Sequence, residues 1–227
     1  MHRFFTPLLR RLYFLAGVIL GVYFSFQILE RSHWNKERLY RRLVSGSRPQ
    51  RLSAAGRLVD LNAQDELLRA LKNPSADSRQ LAENSLWHLW SHAAGEEAFR
   101  SAHAAGEAME NRAFAEAQVI LNSLVRQYPA FAEGWNRRAT LHWQLKKYEA
   151  SLADCKKVLA LNPQHFGAWQ SMGLCQLSLG DLAGACRSLR AALEITPHDA
   201  ALRQFLQKCE KLWRRISPDA TPQYEMV

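Results

Sequence analysis

Three prolines, Pro129, Pro163 and Pro197, stand 34 residues apart, and four further columns keep the same step. They are Trp135 with Trp169; Phe114, Tyr148 and Leu182; Ala117, Ser151 and Ala185; and Leu121, Cys155 and Leu189. Five columns in one register mark an array in which each unit is a single supersecondary element stacked on the next. Within a unit the apolar spacing is helical and breaks once near the middle. Trp135, Arg138, Ala139 and His142 share a face of one helix, and Tyr148, Ser151, Leu152, Cys155, Val158 and Leu159 a face of the next. Each unit is therefore predicted to be a helical hairpin. Small residues at its eighth position (Ala105, Ala139, Gly173) let the two helices approach closely, and the proline at position 32 ends the second helix.

These residues resemble the tetratricopeptide repeat (TPR) family, with units at 98–131, 132–165 and 166–199. Unit two, AEGWNRRATLHWQLKKYEASLADCKKVLALNPQH, carries the family columns most fully; unit one has Ser101 where the Trp stands, and unit three has Leu182 for the aromatic. The resemblance implies an all-α helix-turn-helix solenoid whose first helices line a concave groove that binds other proteins. It places in that groove Phe99, Ala102 and Met109, then Glu133, Asn136, Thr140, Trp143 and Gln144, then Gln170, Leu174 and Leu177. Trp143 is expected either to anchor a partner or to pack against the neighbouring unit. Family members that hold a peptide's terminal carboxylate use Lys and Asn at positions that here read Ala102, Gly106, Arg137, Gly167 and Ser171. With one base among the five, the acidic tails of cytosolic heat-shock chaperones are not expected ligands.

A solenoid needs its ends covered. Asp199 is placed to cap a last helix over 200–216, whose Leu202, Phe205, Leu206, Cys209 and Leu212 form an apolar stripe. Residues 217–227 read as a flexible tail, weakly similar to ligands of domains that capture C-termini. Upstream, within 58–97, Leu61–Leu71 and Asp77–His92 read as two flanking helices outside the 34-residue register, separated by Asn73-Pro74-Ser75.

The net charge of +9 lies at one end: residues 1–57 hold eleven Lys/Arg against Glu30 and Glu37, and the remaining 170 residues hold nineteen bases and nineteen acids. The globular part thus lacks the broad basic footprint of a nucleic-acid binder. After a basic tail, 1–11, residues 12–29 (LYFLAGVILGVYFSFQIL) carry no charge, which predicts a single-pass transmembrane helix; a cleaved signal peptide and an organelle presequence are the alternatives. Gly17, Gly21 and Ser25 share a face suited to close helix packing, hence a homodimer, unless the glycines are incidental. The Lys/Arg excess after the helix puts the repeats on the cytoplasmic side of a bacterial inner or organelle membrane. Likeness to repeat proteins bearing export or transit signals pulls the other way. Residues 30–57 are expected to be a basic juxtamembrane segment, with Trp34 and Tyr40 at the membrane surface, and a linker over Ser45–Ala55.

Catalytic motifs are lacking: there is no phosphate-binding loop, no dinucleotide fingerprint and no nucleophile elbow. No cofactor is expected and the protein is read as a non-enzyme. His88 and His92, four apart with Asn84 a turn earlier, have chelating spacing but no third ligand, so no metal is assigned. Cys155, Cys175, Cys186 and Cys209 read as buried thiols, with a Cys155–Cys175 bridge conceivable in an exported domain. The expected function is a membrane-anchored scaffold that recruits or assembles components of a membrane complex. The alternative is a constitutive structural subunit of such a complex.

Overall fold

The computed structural model describes residues 13–23 and 32–216. Residues 13–23 are helical, and eleven helices follow: α1 (His33–Ser45), α2 (Arg48–Asp60), α3 (Gln64–Ala70), α4 (Ala76–Ser91), α5 (Glu96–Glu110), α6 (Phe114–Gln127), α7 (Ala132–Gln144), α8 (Tyr148–Leu161), α9 (Phe166–Ser178), α10 (Leu182–Ile195) and α11 (Ala200–Ile216). No strand occurs among the described residues. The pairs α5/α6, α7/α8 and α9/α10 are three stacked hairpins and α11 closes the array, so the protein is an all-α, TPR-like solenoid.

The repeated columns have identifiable jobs. Trp135 Nε1 donates to the Pro129 carbonyl at 3.0 Å and Trp169 Nε1 to the Pro163 carbonyl at 2.8 Å, pinning each hairpin to the end of the one before. In the next register position Arg203 donates to the Pro197 carbonyl, so the cap keeps the device with a different side chain. Each hairpin turn also repeats. Arg112, Lys146 and Gly180 adopt φ of 59°, 58° and 81°, and the following amides reach back to the carbonyls of Ala108, His142 and Gln176, each at 2.8 Å. This is a Schellman closure, which needs a left-handed residue just past the helix end. Gly173 is small because a Cβ there would lie 2.9 Å from Leu189 of the facing helix.

Helices α1–α4 form a bundle around Leu43, Leu58, Leu67 and Leu86, all fully buried, and the same cluster takes in Phe166 and Ile195 of repeat three. The bundle is thus continuous with the solenoid. Where the sequence predicts a linker over Ser45–Ala55, the structure starts α2 at Arg48. The reason is local: Gln50 Oε1 accepts from the Ser47 amide at 2.9 Å, Pro49 sits in the first turn, and Ala54, Ala55 and Leu58 form a buried stripe. Ser-x-x-Gln with an early proline is a helix start as much as a linker. The expected membrane-surface helix is likewise α1, whose Leu39 and Leu43 face the core while Trp34 is exposed.

The single-pass anchor is corrected. No helix among the described residues is long and apolar enough to cross a membrane. Leu12 and 24–29, Ser25 among them, lie outside the described residues. A Cβ at Gly17 or Gly21 would meet nothing within 4 Å, so neither glycine is explained by packing. The membrane localisation, the cytoplasmic orientation and a dimer through this helix are therefore unsupported: a charge-free stretch is compatible with a spanning helix, but no described helix has the length and apolarity to be one.

Candidate partner-binding groove

Helices α5, α7 and α9 line the concave side of the array, and the side chains of α4 reach onto it. Two aromatic residues of α4 meet the loop entering α9. Trp90 stacks on His165 at 4.6 Å between centroids and 21° between planes, and Trp87 meets both His165 and Phe166 edge-on at 5.3 Å. Trp87 fits because residue 167 is glycine: a Cβ there would lie 2.7 Å from the indole Cη2. His165 is fully buried and caps α9, its Nδ1 accepting from the Ala168 amide at 3.0 Å. That fixes the proton on Nε2, which faces Glu133 Oε2 at 3.4 Å.

Glu133, 3% exposed, is the acid at the centre of this region. Its Oε2 also accepts from Asn136 Nδ2 at 3.0 Å, and its Oε1 lies 3.2 Å from Arg137 Nε. Burying a carboxylate is costly unless it is paired, and three neighbours share the pairing here. The Arg137 guanidinium in turn crosses Gly106, whose missing Cβ would stand 3.0 Å from Nη1. Two of the five positions that hold a peptide carboxylate in some relatives are therefore glycines overlaid by this chain's own side chains, Arg137 and Trp87.

Between these groups a cavity of about 360 Å³ stays open, walled by Trp87, Met109, Glu133, Asn136, Arg137, Thr140 and Gln144, with Gly106 and Glu110 at its edge. Of the expected groove residues it collects Met109, Glu133, Asn136, Thr140 and Gln144. Gln170 instead lines a second cavity of about 320 Å³ between α4 and repeat three. Leu177 packs into the core shared by repeat three and α11, Leu174 is half-buried, Ala102 is buried within repeat one and Phe99 stacks on His92 at 4.0 Å. Trp143 is 42% exposed and borders neither cavity. Trp87 is the wall residue that sequence reasoning missed. Its signal, an aromatic pair with Trp90 in a flanking helix, pointed to packing but not to what it packs against. His88 and His92 stack on each other at 4.2 Å, and His92 Nδ1 lies 2.9 Å from the His88 carbonyl.

On the hairpin side of α7, Arg138 grips Asp154 through two 2.8 Å hydrogen bonds, donates to Asn122 at 3.1 Å and lies 4.8 Å from the Trp135 ring, while His142 Nδ1 stands 3.2 Å from the same carboxylate. Burial pushes the Asp154 carboxyl up, but the Arg138 hydrogen bonds, with His142 close by, outweigh it and hold it below the usual carboxylate range.

Comparison with known proteins agrees with this geometry. The tetratricopeptide repeat profile matches residues 138–209. A TPR repeat-containing protein of Rhizobium etli is 33% identical over 109 residues, which cover 48% of this chain and 53% of that one. The chain therefore spans about half the length of that relative. Among solved structures, the first TPR domain of Spaghetti (RPAP3) bound to an HSP90 peptide superposes with a TM-score of 0.50 at 21% identity, over 51% of this chain and 92% of that one. The Sgt2 TPR domain of Aspergillus fumigatus gives 0.51 at 18% identity, over 58% and 88%. At these identities the structures speak for the fold alone. Over residues 138–209 the array resembles the tetratricopeptide repeat in sequence, and its fold is that of solved TPR domains.

Proposed function

We propose that the protein is a non-enzymatic scaffold that recruits a partner protein through the cavity between repeats one and two. The observation that carries this reading is the asymmetry of the concave face: α4 packs onto the repeat-three side, while Met109, Thr140 and Gln144 line a cavity that no described residue fills. Its walls combine an indole and a thioether with amide and hydroxyl groups, a mixture suited to one apolar side chain of a peptide flanked by backbone hydrogen bonds. Arg137 is the one base among the five carboxylate-holding positions and has the Glu133 carboxylate 3.2 Å from its Nε, so chaperone tails of the kind bound by the Spaghetti domain remain unexpected here.

The test places a photo-crosslinking residue at Thr140 inside the cavity or at Val119, 70% exposed on α6, and recovers the products from cells. A discrete partner captured from Thr140, absent from Val119 and lost on Met109→Glu, supports the reading. Capture from Val119 alone, or the same products from both, refutes it. A product that co-migrates with the protein at fixed stoichiometry on native gels would favour the constitutive-subunit form of the same function.

A further inference from the structure

We propose that Cys186 and Cys209 are a modification site: a dithiol that closes to a disulfide and ties α11 to repeat three. Their sulfurs lie 3.2 Å apart on the facing helices α10 and α11. That is inside ordinary sulfur–sulfur contact and about 1.2 Å beyond the length of a disulfide bond. Two thiolates on one tetrahedral zinc, each about 2.3 Å from the metal, would instead stand roughly 3.8 Å apart. No group of three His, Cys, Asp or Glu suited to a metal occurs among the described residues either. The pair is shaped for a sulfur–sulfur bond. The bridge conceived from sequence, Cys155–Cys175, is the competing pair: contact with Cys155 holds the Cys175 thiol down to about 7, but Cys175 donates to Ser151 Oγ at 3.1 Å, and contact with Cys175 and burial hold Cys155 far up the scale.

Access comes from the position of α11. Cys186 is fully buried and Cys209 is 3% exposed, and burial followed by contact with Cys209 pushes the Cys186 thiol up to about 12, so the closed pair is inert. The cap, however, is the last described helix, packed on repeat three along one face. It is held by Leu202, Leu206 and Cys209 and by the Arg190–Glu210 ion pair, while Leu212 and Ile216 are left exposed. End elements of such arrays open before the interior does. When α11 lifts, one cysteine ionises and attacks a small disulfide oxidant such as oxidised glutathione, expelling one thiolate. As the helix returns, the second cysteine attacks the protein sulfur of the mixed disulfide and expels the other. Two protein thiols lose two protons and two electrons, and the oxidant leaves as two thiols.

The experiment incubates the reduced full chain with oxidised glutathione, counts free thiols in denaturant and maps the peptides by mass. The expected result is a fall from the four thiols of the sequence to two, with the Cys186 and Cys209 peptides joined at a mass lower by two hydrogens. The oxidised form should melt at a higher temperature than the reduced form, and Leu206→Ala, which loosens α11, should speed closure several-fold. Four unreacted thiols, a bridge between Cys155 and Cys175, stable glutathione adducts without a bridge, or metal retained by the reduced protein would each overturn the proposal. Because the decisive mapping uses the unsubstituted chain, misfolding of a cysteine variant cannot mask the answer.

Discussion

Between α5 and α7 the concave face is open and mixed in polarity, with Thr140 and Gln144 in solvent; one repeat along, between α7 and α9, Trp90 of α4 is buried against His165 and Phe166, and half-buried Trp87 meets both edge-on. Helices of the same type wall both halves. The difference lies in one column: the second position of each unit holds Phe99, Glu133 and Gly167 in turn. Phe99 stacks on His92, Glu133 is consumed by Arg137, Asn136 and His165, and Gly167 vacates the space the Trp87 ring enters. The comparison teaches that the repeat pattern builds a groove, whereas side chains off the consensus decide which part of it remains available.

The comparison can be broken most forcefully at the cover. Trp90 is 4% exposed and donates its Nε1 to Gln64 Oε1 at 2.7 Å, so Trp90→Ala removes stacking, burial and a hydrogen bond together. It should cost about 3–5 kcal/mol in denaturant unfolding. Hydrogen exchange should then show repeat three losing protection before repeat one; equal loss in all three repeats would mean that α4 is not a cover for one half.

A smaller loss, about 3 kcal/mol, is expected for Arg138→Ala, which strands the buried Asp154 carboxylate. Because α7 walls both halves, this variant asks whether the wall is held by its own hairpin or by the cover. The pH dependence has a defined sign. Asp154 is held below its unfolded pKa, so its contribution is full at neutral pH and is lost as pH falls through the ordinary carboxylate range toward the lowered native value. Acid titration of stability should be shallower in Asp154→Asn than in the unsubstituted protein, and an unchanged slope would show that the pairing contributes nothing.

Gly167→Ala sharpens the comparison most gently. The new Cβ meets the far edge of a side chain rather than backbone, so a cost of about 1–2 kcal/mol is expected as Trp87 is displaced. Tryptophan fluorescence should become more readily quenched. No change would mean that the indole has another place to sit, and the glycine would lose its role in shaping the groove.

Much of the solenoid was legible in the residues because its contacts are local and repeat: the Trp–Pro columns, the Ala105/Ala139/Gly173 close approach and the apolar stripe of α11 are all readable at fixed spacing. The hairpin turns were not, since Arg112 and Lys146 take the left-handed conformation that glycine advertises only at Gly180. Within 30–57 the linker expected over Ser45–Ala55 gives way to helix for another reason. The segment's basic composition suggested a membrane surface, but at helical spacing Leu39, Leu43, Ala54, Ala55 and Leu58 form two core-facing stripes that matter more than the charge around them.

By itself the sequence determined that the chain folds as an all-α array of helical hairpins, because short-range periodicity is written along the chain. Only the tertiary structure decided that α4 covers the repeat-three half, that Trp87 rather than Trp143 walls the open cavity, and that Cys186 meets Cys209. Those contacts join segments 23 to about 80 residues apart in the chain with no periodic relation between them, and which surfaces meet is set by shape and burial once the helices exist.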